Sequence, residues 1–177
     1  MKSKTLAPLL QEHGVDPNRF GVGSAKTLDH LLAEINEGET VLKVVDEGLM
    51  RLVTILGITV YADVDGQRLR LVEDRQVFCD GRVRRRGIPT SLSEKIKEGE
   101  SLPQAIARAL REEIGCSKYT ILTSNPIARI ETVDSPSYPG LPTRYTKYEV
   151  DVLITSGYNP NGYEEDRDQI TTHFVWC

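Results

Sequence analysis

Apolar residues recur at helical spacing through the first forty positions and at strand spacing after about Met50. Leu6, Leu9 and Leu10 form one short stripe, stopped by Gly14 and then Asp16-Pro17. Leu28, Leu31, Leu32 and Ile35 follow an i, i+3, i+4, i+7 pattern, with Ser24 or Thr27 as N-cap and Gly38 beyond the last turn. From Leu52 to Tyr61 the chain is β-branched and aliphatic, which predicts a buried strand with Gly57 inside it. Asp65-Gly66 signals a hairpin, and Leu69 and Leu71 alternate with arginines on the return strand. Asp80-Gly81 marks a further turn. A helix is predicted over 102–114, and strands over 120–122, 127–133, 146–154 and 171–176. On the third of these Tyr148, Val150, Val152 and Ile154 share a face. Two stretches read as loops: 134–144, with Pro136, Pro139, Gly140 and Pro142 around Tyr138, and 156–168, polar and carrying Tyr163-Glu164-Glu165-Asp166.

A length of 177 residues suits a single sizeable core, and 39% hydrophobic with 27% charged residues is ordinary for a soluble globular chain. The net charge of −4 gives no electrostatic case for binding double-stranded nucleic acid. Cys79, Cys116 and Cys177 are widely spaced and form no CxxC pair, so neither a disulfide framework nor a zinc site is expected. Met1 to Pro8 has two lysines but no long apolar run behind them, and no stretch approaches a membrane span. A cytoplasmic, soluble protein is expected, and a homodimer is compatible with the sequence. Gly21-Val22-Gly23-Ser24-Ala25-Lys26-Thr27 lacks the Gly-Lys step of a phosphate loop and reads as a turn before the second helix. His13, His30 and His173 have no partners at ligand spacing.

The helix over 102–114 carries the chemistry. Ser101 and Gln104 have capping-box spacing, Pro103 is tolerated in the first turn, and Gly115 suits a left-handed stop. Ala105, Ile106, Ala109 and Leu110 give an apolar side, while Arg108, Glu112 and Glu113 lie one turn apart. Two adjacent glutamates at the negative end of a helix dipole are unfavourable unless a cation offsets them. The segment 94–116 resembles the box of the Nudix hydrolase family. Glu100 takes its first glutamate position, Arg108 follows after seven residues, and Leu110 fills the aliphatic slot. Glu112-Glu113 is the glutamate pair, and Gly115-Cys116 closes the motif. Two positions depart from the pattern: Glu94 stands where the box opens on glycine, and Ala109 stands where a second metal-binding glutamate follows the arginine.

The resemblance implies an α/β/α sandwich on a mixed sheet over residues 41–177, with residues 1–40 as a two-helix extension packed on it. It implies a divergent hydrolase acting on a nucleoside diphosphate derivative with Mg2+ or Mn2+, weak or altered because of Ala109. A catalytically inactive ligand-binding or scaffold protein is the other reading. Glu112 and Glu113 would hold the metal, since magnesium needs only one or two carboxylates beside waters and phosphates. Glu164 or Glu165 would assist catalysis from the acidic stretch, whereas Glu94 and Glu98 precede the helix in a loop and are lesser candidates. Glu100, Arg108 and Gly115 would be structural, with Arg108 paired to Glu100 or Glu112. In the run Arg82, Arg84, Arg85, Arg86 a two-residue period sends Arg84 and Arg86 to one face, where they gather a diphosphate or simply line a solvated edge. Tyr138 and Tyr145 are candidates to stack on a base.

Overall fold

Thr27 caps the clearest of the N-terminal helices. Its hydroxyl accepts from the His30 N–H, while the His30 ring accepts from the Thr27 N–H, satisfying two donors that a helix start leaves orphaned. This helix, α2, spans Leu28–Asn36, after α1 (Ser3–Glu12) and a 3-10 turn at Pro17–Arg19. The computed structural model describes residues 3–167 and 169–177; Met1, Lys2 and Asp168, which belong to the basic start and the polar stretch 156–168, lie outside them. Ten strands accompany the helices: β1 (Val41–Val45), β2 (Gly48–Val64), β3 (Gln67–Phe78), β4 (Val83–Arg84), β5 (Leu92–Ile96), β6 (Tyr119–Ile121), β7 (Arg129–Asp134), β8 (Pro142–Ile154), β9 (Tyr163–Arg167) and β10 (Ile170–Trp176). With α3 at Leu102–Ile114, the chain has the expected α/β fold class.

The strand set corrects the loop assignments. Tyr163–Arg167 is a strand because its backbone pairs antiparallel with β10, Tyr163 opposite Phe174 and Glu165 opposite Thr172. Strand β8 begins at Pro142, inside the stretch expected as loop, at a position where a missing N–H is tolerated. Strand β1 goes unassigned although Val41, Leu42, Val44 and Val45 are apolar, because it is short, and β5 has only Leu92 and Ile96 to mark it.

Contacts divide the chain into two compact units. The first holds the described residues up to Ile55, Lys95–Glu100 and Ala128–Lys147; the second holds Leu56–Glu94, Ser101–Ile127 and Tyr148–Cys177. Strands β2, β5 and β8 pass from one into the other.

In the first unit, β1 pairs with β2 and β7 with β8, both antiparallel. Leu6 and Leu10 of α1, Leu31 of α2, Leu49, Tyr138 and Leu141 share one buried core, with the Phe20 ring edge-on to Tyr138 at 5.4 Å. Beside it lies an ionic cluster. Glu34 accepts from Lys26 Nζ and Arg51 Nη2, each at 2.7 Å, and from Thr40 Oγ1 at 3.1 Å, with Lys95 Nζ at 3.0 Å. Burial pushes the Glu34 carboxyl up, but Lys26, Arg51 and Lys95 outweigh it and bring the pKa down to about 2. Arg51 also lies over the Tyr138 ring at 4.8 Å, so α2, β2 and the 135–141 loop are held at one point.

In the second unit the strands follow the order β6-β8-β2-β3-β10-β9. Leu56, Ile58, Val60 and Ala62 alternate inward along β2, and the Ser91 hydroxyl, accepting from Val60 N–H and donating to the Leu71 carbonyl, ties in the segment before β5. Helix α3 starts on Ser101, whose N–H and hydroxyl both donate to Gln104 Oε1, and ends on Gly115 at φ +64°. Its buried face is Ala105, Ile106, Ala109, Leu110, Glu113 and Ile114. Burying Ile106 and Leu110 contributes about 1.5–3 kcal/mol each. The one charged residue on that face is Glu113.

Candidate functional site

Residues along α3 turn by about 100° each, so Glu112 and Glu113 part company. The Glu112 side chain is 52% exposed and stands 3.5 Å from Arg108 Nη1. Glu113 lies one turn past Ala109 on the inner face, is 8% exposed, and makes no hydrogen bond or ion pair among the described residues. It borders a cleft of about 200 Å3 in the second unit, together with Glu165, Arg167, Arg86 and Glu73.

Three elements bring charge to that cleft. Strand β9 places Glu165 and Arg167 two residues apart, on the cleft side. Glu164, between them, is largely exposed and meets His173 Nδ1 at 2.9 Å, which gives that histidine an acidic partner the sequence did not indicate. Glu165, not Glu164, is therefore the acidic residue of this stretch that lines the cleft. Arg86 is gripped by Glu73, whose Oε1 accepts from Arg86 Nε at 2.8 Å and whose Oε2 accepts from Nη2. Arg84 does not line the cleft; it donates to Gln76 Oε1 at 2.6 and 3.1 Å and sits over the Phe78 ring.

Strand β5 places Glu94, expected in a loop, beside the cleft rather than in its lining, where its charge acts on Glu113 and Glu165. Glu94 is 8% exposed, and its Oε2 stands 3.2 Å from Arg108 Nη1 and 3.8 Å from Arg167 Nη1. Glu94, Arg167 and Glu73 are the charged residues that the sequence pattern missed. The only signal was Leu92 and Glu94 two apart, a strand period in which the charged residue shares the buried side.

Tyr138 is a correction. It is fully buried in the core of the first unit, so it has no free face on which a base could stack. The proline-rich loop folds under α1 and α2, where the ring gains more from burial and from Arg51 than from solvent exposure. Tyr145 is held near Arg51 and Ser135, with its hydroxyl 3.5 and 3.3 Å from them. Glu100 accepts from the Lys97 N–H at 3.0 Å, a turn before the helix.

The electrostatics follow from this packing. Burial, then Glu165 and Glu94, push the Glu113 carboxyl up to about 9, against the pull of Arg167 and Arg86. Burial likewise raises Glu165, with Arg167 opposing and Glu94 and Glu112 adding to it. Three carboxylates in the cleft lining, Glu73, Glu113 and Glu165, thus face two guanidiniums, Arg86 and Arg167. With every one of these ionised, one negative charge is left over.

No protein-family model matches the chain, and no curated protein sequence does. Similar solved structures include two of Caenorhabditis elegans Ap4A hydrolase. One shares 17% identity over 71% of this chain and 80% of that one, with a TM-score of 0.36. The other, a binary complex, shares 16% over 70% and 78%, with a TM-score of 0.42. The NUDIX domain of Shewanella oneidensis NrtR, complexed with ADP ribose, shares 14% over 70% of each chain, with a TM-score of 0.38.

The donor set of the cleft suits a hard divalent cation. Its lining includes the carboxylate oxygens of Glu73, Glu113 and Glu165, the donor type that magnesium and manganese prefer. Among the described residues no three Asp, Glu, His or Cys side chains already converge on one ligation point. A cation here would complete its shell with water and with ligand oxygens. No described helix is long and apolar enough to cross a membrane.

Proposed function

We propose that the cleft of the second unit binds a nucleoside diphosphate derivative together with Mg2+ or Mn2+, and hydrolyses the diphosphate slowly. One observation carries this reading. Glu113, buried in the cleft wall, has no hydrogen-bond or ion-pair partner among the described residues, in a lining where carboxylates outnumber arginines. A buried carboxyl without a partner is costly unless something binds there.

In this reading Glu113 and Glu165 would hold the cation, with Glu112 as the other carboxylate of the helix pair. Bound there, the cation supplies Lewis-acid polarisation of a phosphoryl oxygen and a more acidic water. Arg167 and Arg86 face the phosphate oxygens, for which guanidinium geometry is well matched. Glu165, at the cleft wall, would accept the proton of the attacking water. Slow turnover follows from α3, which directs a single carboxylate inward because Ala109 occupies the preceding turn of that face. Each ~1.4 kcal/mol of lost transition-state stabilisation is tenfold in rate.

The test is incubation with Mg2+ or Mn2+ and a panel of nucleotide sugars, ADP-ribose, dinucleotides and oxidised triphosphates, with binding and product followed separately. Product formed by the wild type and lost in Glu113→Gln supports hydrolysis. Metal-dependent binding without product leaves a ligand-binding protein, the second reading. Absence of both cation and nucleotide binding rejects the proposal.

A further inference from the structure

We infer that Glu94 is a positioning residue of the cation site proposed above, supplying from strand β5 a negative charge that helix α3 does not carry. The inference rests on that reading of the cleft and adds to it a residue from outside the helix.

Three observations lead there. On the inner face of α3 the turn before Glu113 is Ala109, fully buried, so the helix itself brings one carboxylate to that side. Glu94 is as buried as Glu113 and reaches the same region from another element. Its Oε2 meets Arg108 of α3 and Arg167 of β9, so it joins the helix to the strand that carries Glu165. It adds a carboxylate beside a cleft whose own lining sets Glu73, Glu113 and Glu165 against Arg86 and Arg167. Glu113, nine-tenths buried and without a hydrogen bond or ion pair among the described residues, marks where negative charge is unrelieved. The charge of Glu94 acts on Glu113 and Glu165 alike. Burial keeps water from screening it.

The experiment is Mn2+ titration of the full chain, with free Mn2+ read by electron paramagnetic resonance, so that no turnover is needed. Glu94→Gln should weaken Mn2+ binding by about tenfold, the effect of one buried charge lost beside the site. Glu94→Asp should restore affinity to within about threefold, because the charge returns. Asp63→Asn, the same charge change at an exposed pair with Arg68 outside the cleft, should leave affinity unchanged. A Glu94→Gln protein that binds Mn2+ as the wild type does overturns the inference while leaving the cation site standing. A wild type that takes up no Mn2+ overturns both. If Glu94→Gln does not fold, Mn2+ broadening of wild-type backbone amide resonances decides: Glu94 and Glu113 must broaden together, and an unaffected Glu94 overturns the inference.

Discussion

Glu112 and Glu113 are neighbours in sequence but not in environment: one stands half exposed beside Arg108, the other is buried with no ion pair among the described residues. The separation comes from helix geometry, since consecutive side chains point about 100° apart and α3 buries only one side. A paired-glutamate motif is thus divided into a rim residue and a wall residue. The wall residue meets its acidic company from β5 and β9, elements distant in sequence.

That company makes stability depend on pH in a defined direction. Glu113 titrates at about 9 in the folded chain and near 4.5 in the unfolded one. Between these values the folded state holds a proton that the unfolded state has released, so stability falls as pH rises across the window. Urea unfolding in EDTA at about pH 5, 7 and 8.5 should show this decline, and Glu113→Gln should flatten it. Mn2+ should also flatten it, by binding the ionised carboxylate. A wild-type slope identical to that of Glu113→Gln would sink the assignment.

Replacing Ala109 by glutamate tests the helix face directly. Ala109 is fully buried one turn before Glu113, so Ala109→Glu adds a carboxylate to a wall already rich in them. Without metal the variant should lose about 2–4 kcal/mol of stability. With saturating Mn2+ its melting temperature should rise by more than that of the wild type, and any hydrolysis should speed up. Equal metal-induced shifts in the two proteins would show that this face does not meet the cation.

What the sequence made legible, and what it hid, follows from how each element is stabilised. Helices α2 and α3 declare themselves because Leu28, Leu31, Leu32 and Ile35, or Ala105, Ile106, Ala109 and Leu110, bury one stripe between cap residues that have few other uses. Strand β9 does not, because Glu164, Glu165, Asp166 and Arg167 carry no hydrophobic period; the backbone ladder to β10 holds it in place. The cleft inherits that blindness: Glu165 and Arg167 owe their position to pairing that no local pattern encodes. Glu94 is hidden for a related reason, a charge on the buried side of a short strand reading like loop. Tyr138 misleads in the opposite sense, since prolines and glycine around an aromatic residue suggest an exposed loop, and only the helices above it close that loop into a core.

Acid should unfold the first unit through Glu34. Its carboxyl titrates at about 2 when folded and near 4.5 when unfolded, so its contribution is complete above the unfolded value and lost as pH falls toward 2. The contribution is on the order of 3 kcal/mol at neutral pH. Glu34→Gln should cost about 3–5 kcal/mol, because it leaves Arg51, 3% exposed, without its closest carboxylate. Replacing both partners, Glu34→Leu with Arg51→Met, should recover much of that loss. Urea midpoints at neutral and acid pH check both values, and a double variant no better than Glu34→Gln would contradict the ion-pair account.

Residues 1–40 are proposed as an integral layer of the first unit rather than an appendage. Leu6, Leu10 and Leu31 are fully buried against Leu49, Tyr138 and Leu141, and each contributes about 1.5–3 kcal/mol by burial. Glu34 on α2 adds the partner of Arg51. These terms together rival the whole stability of an ordinary domain, about 5–15 kcal/mol. Deleting residues 1–38 should therefore expose the Tyr138 face, lower the melting temperature by well over ten degrees or prevent soluble expression, and raise binding of an apolar dye. A truncated chain that melts where the full chain does would show that β1, β2 and the 135–141 loop hold their core unaided.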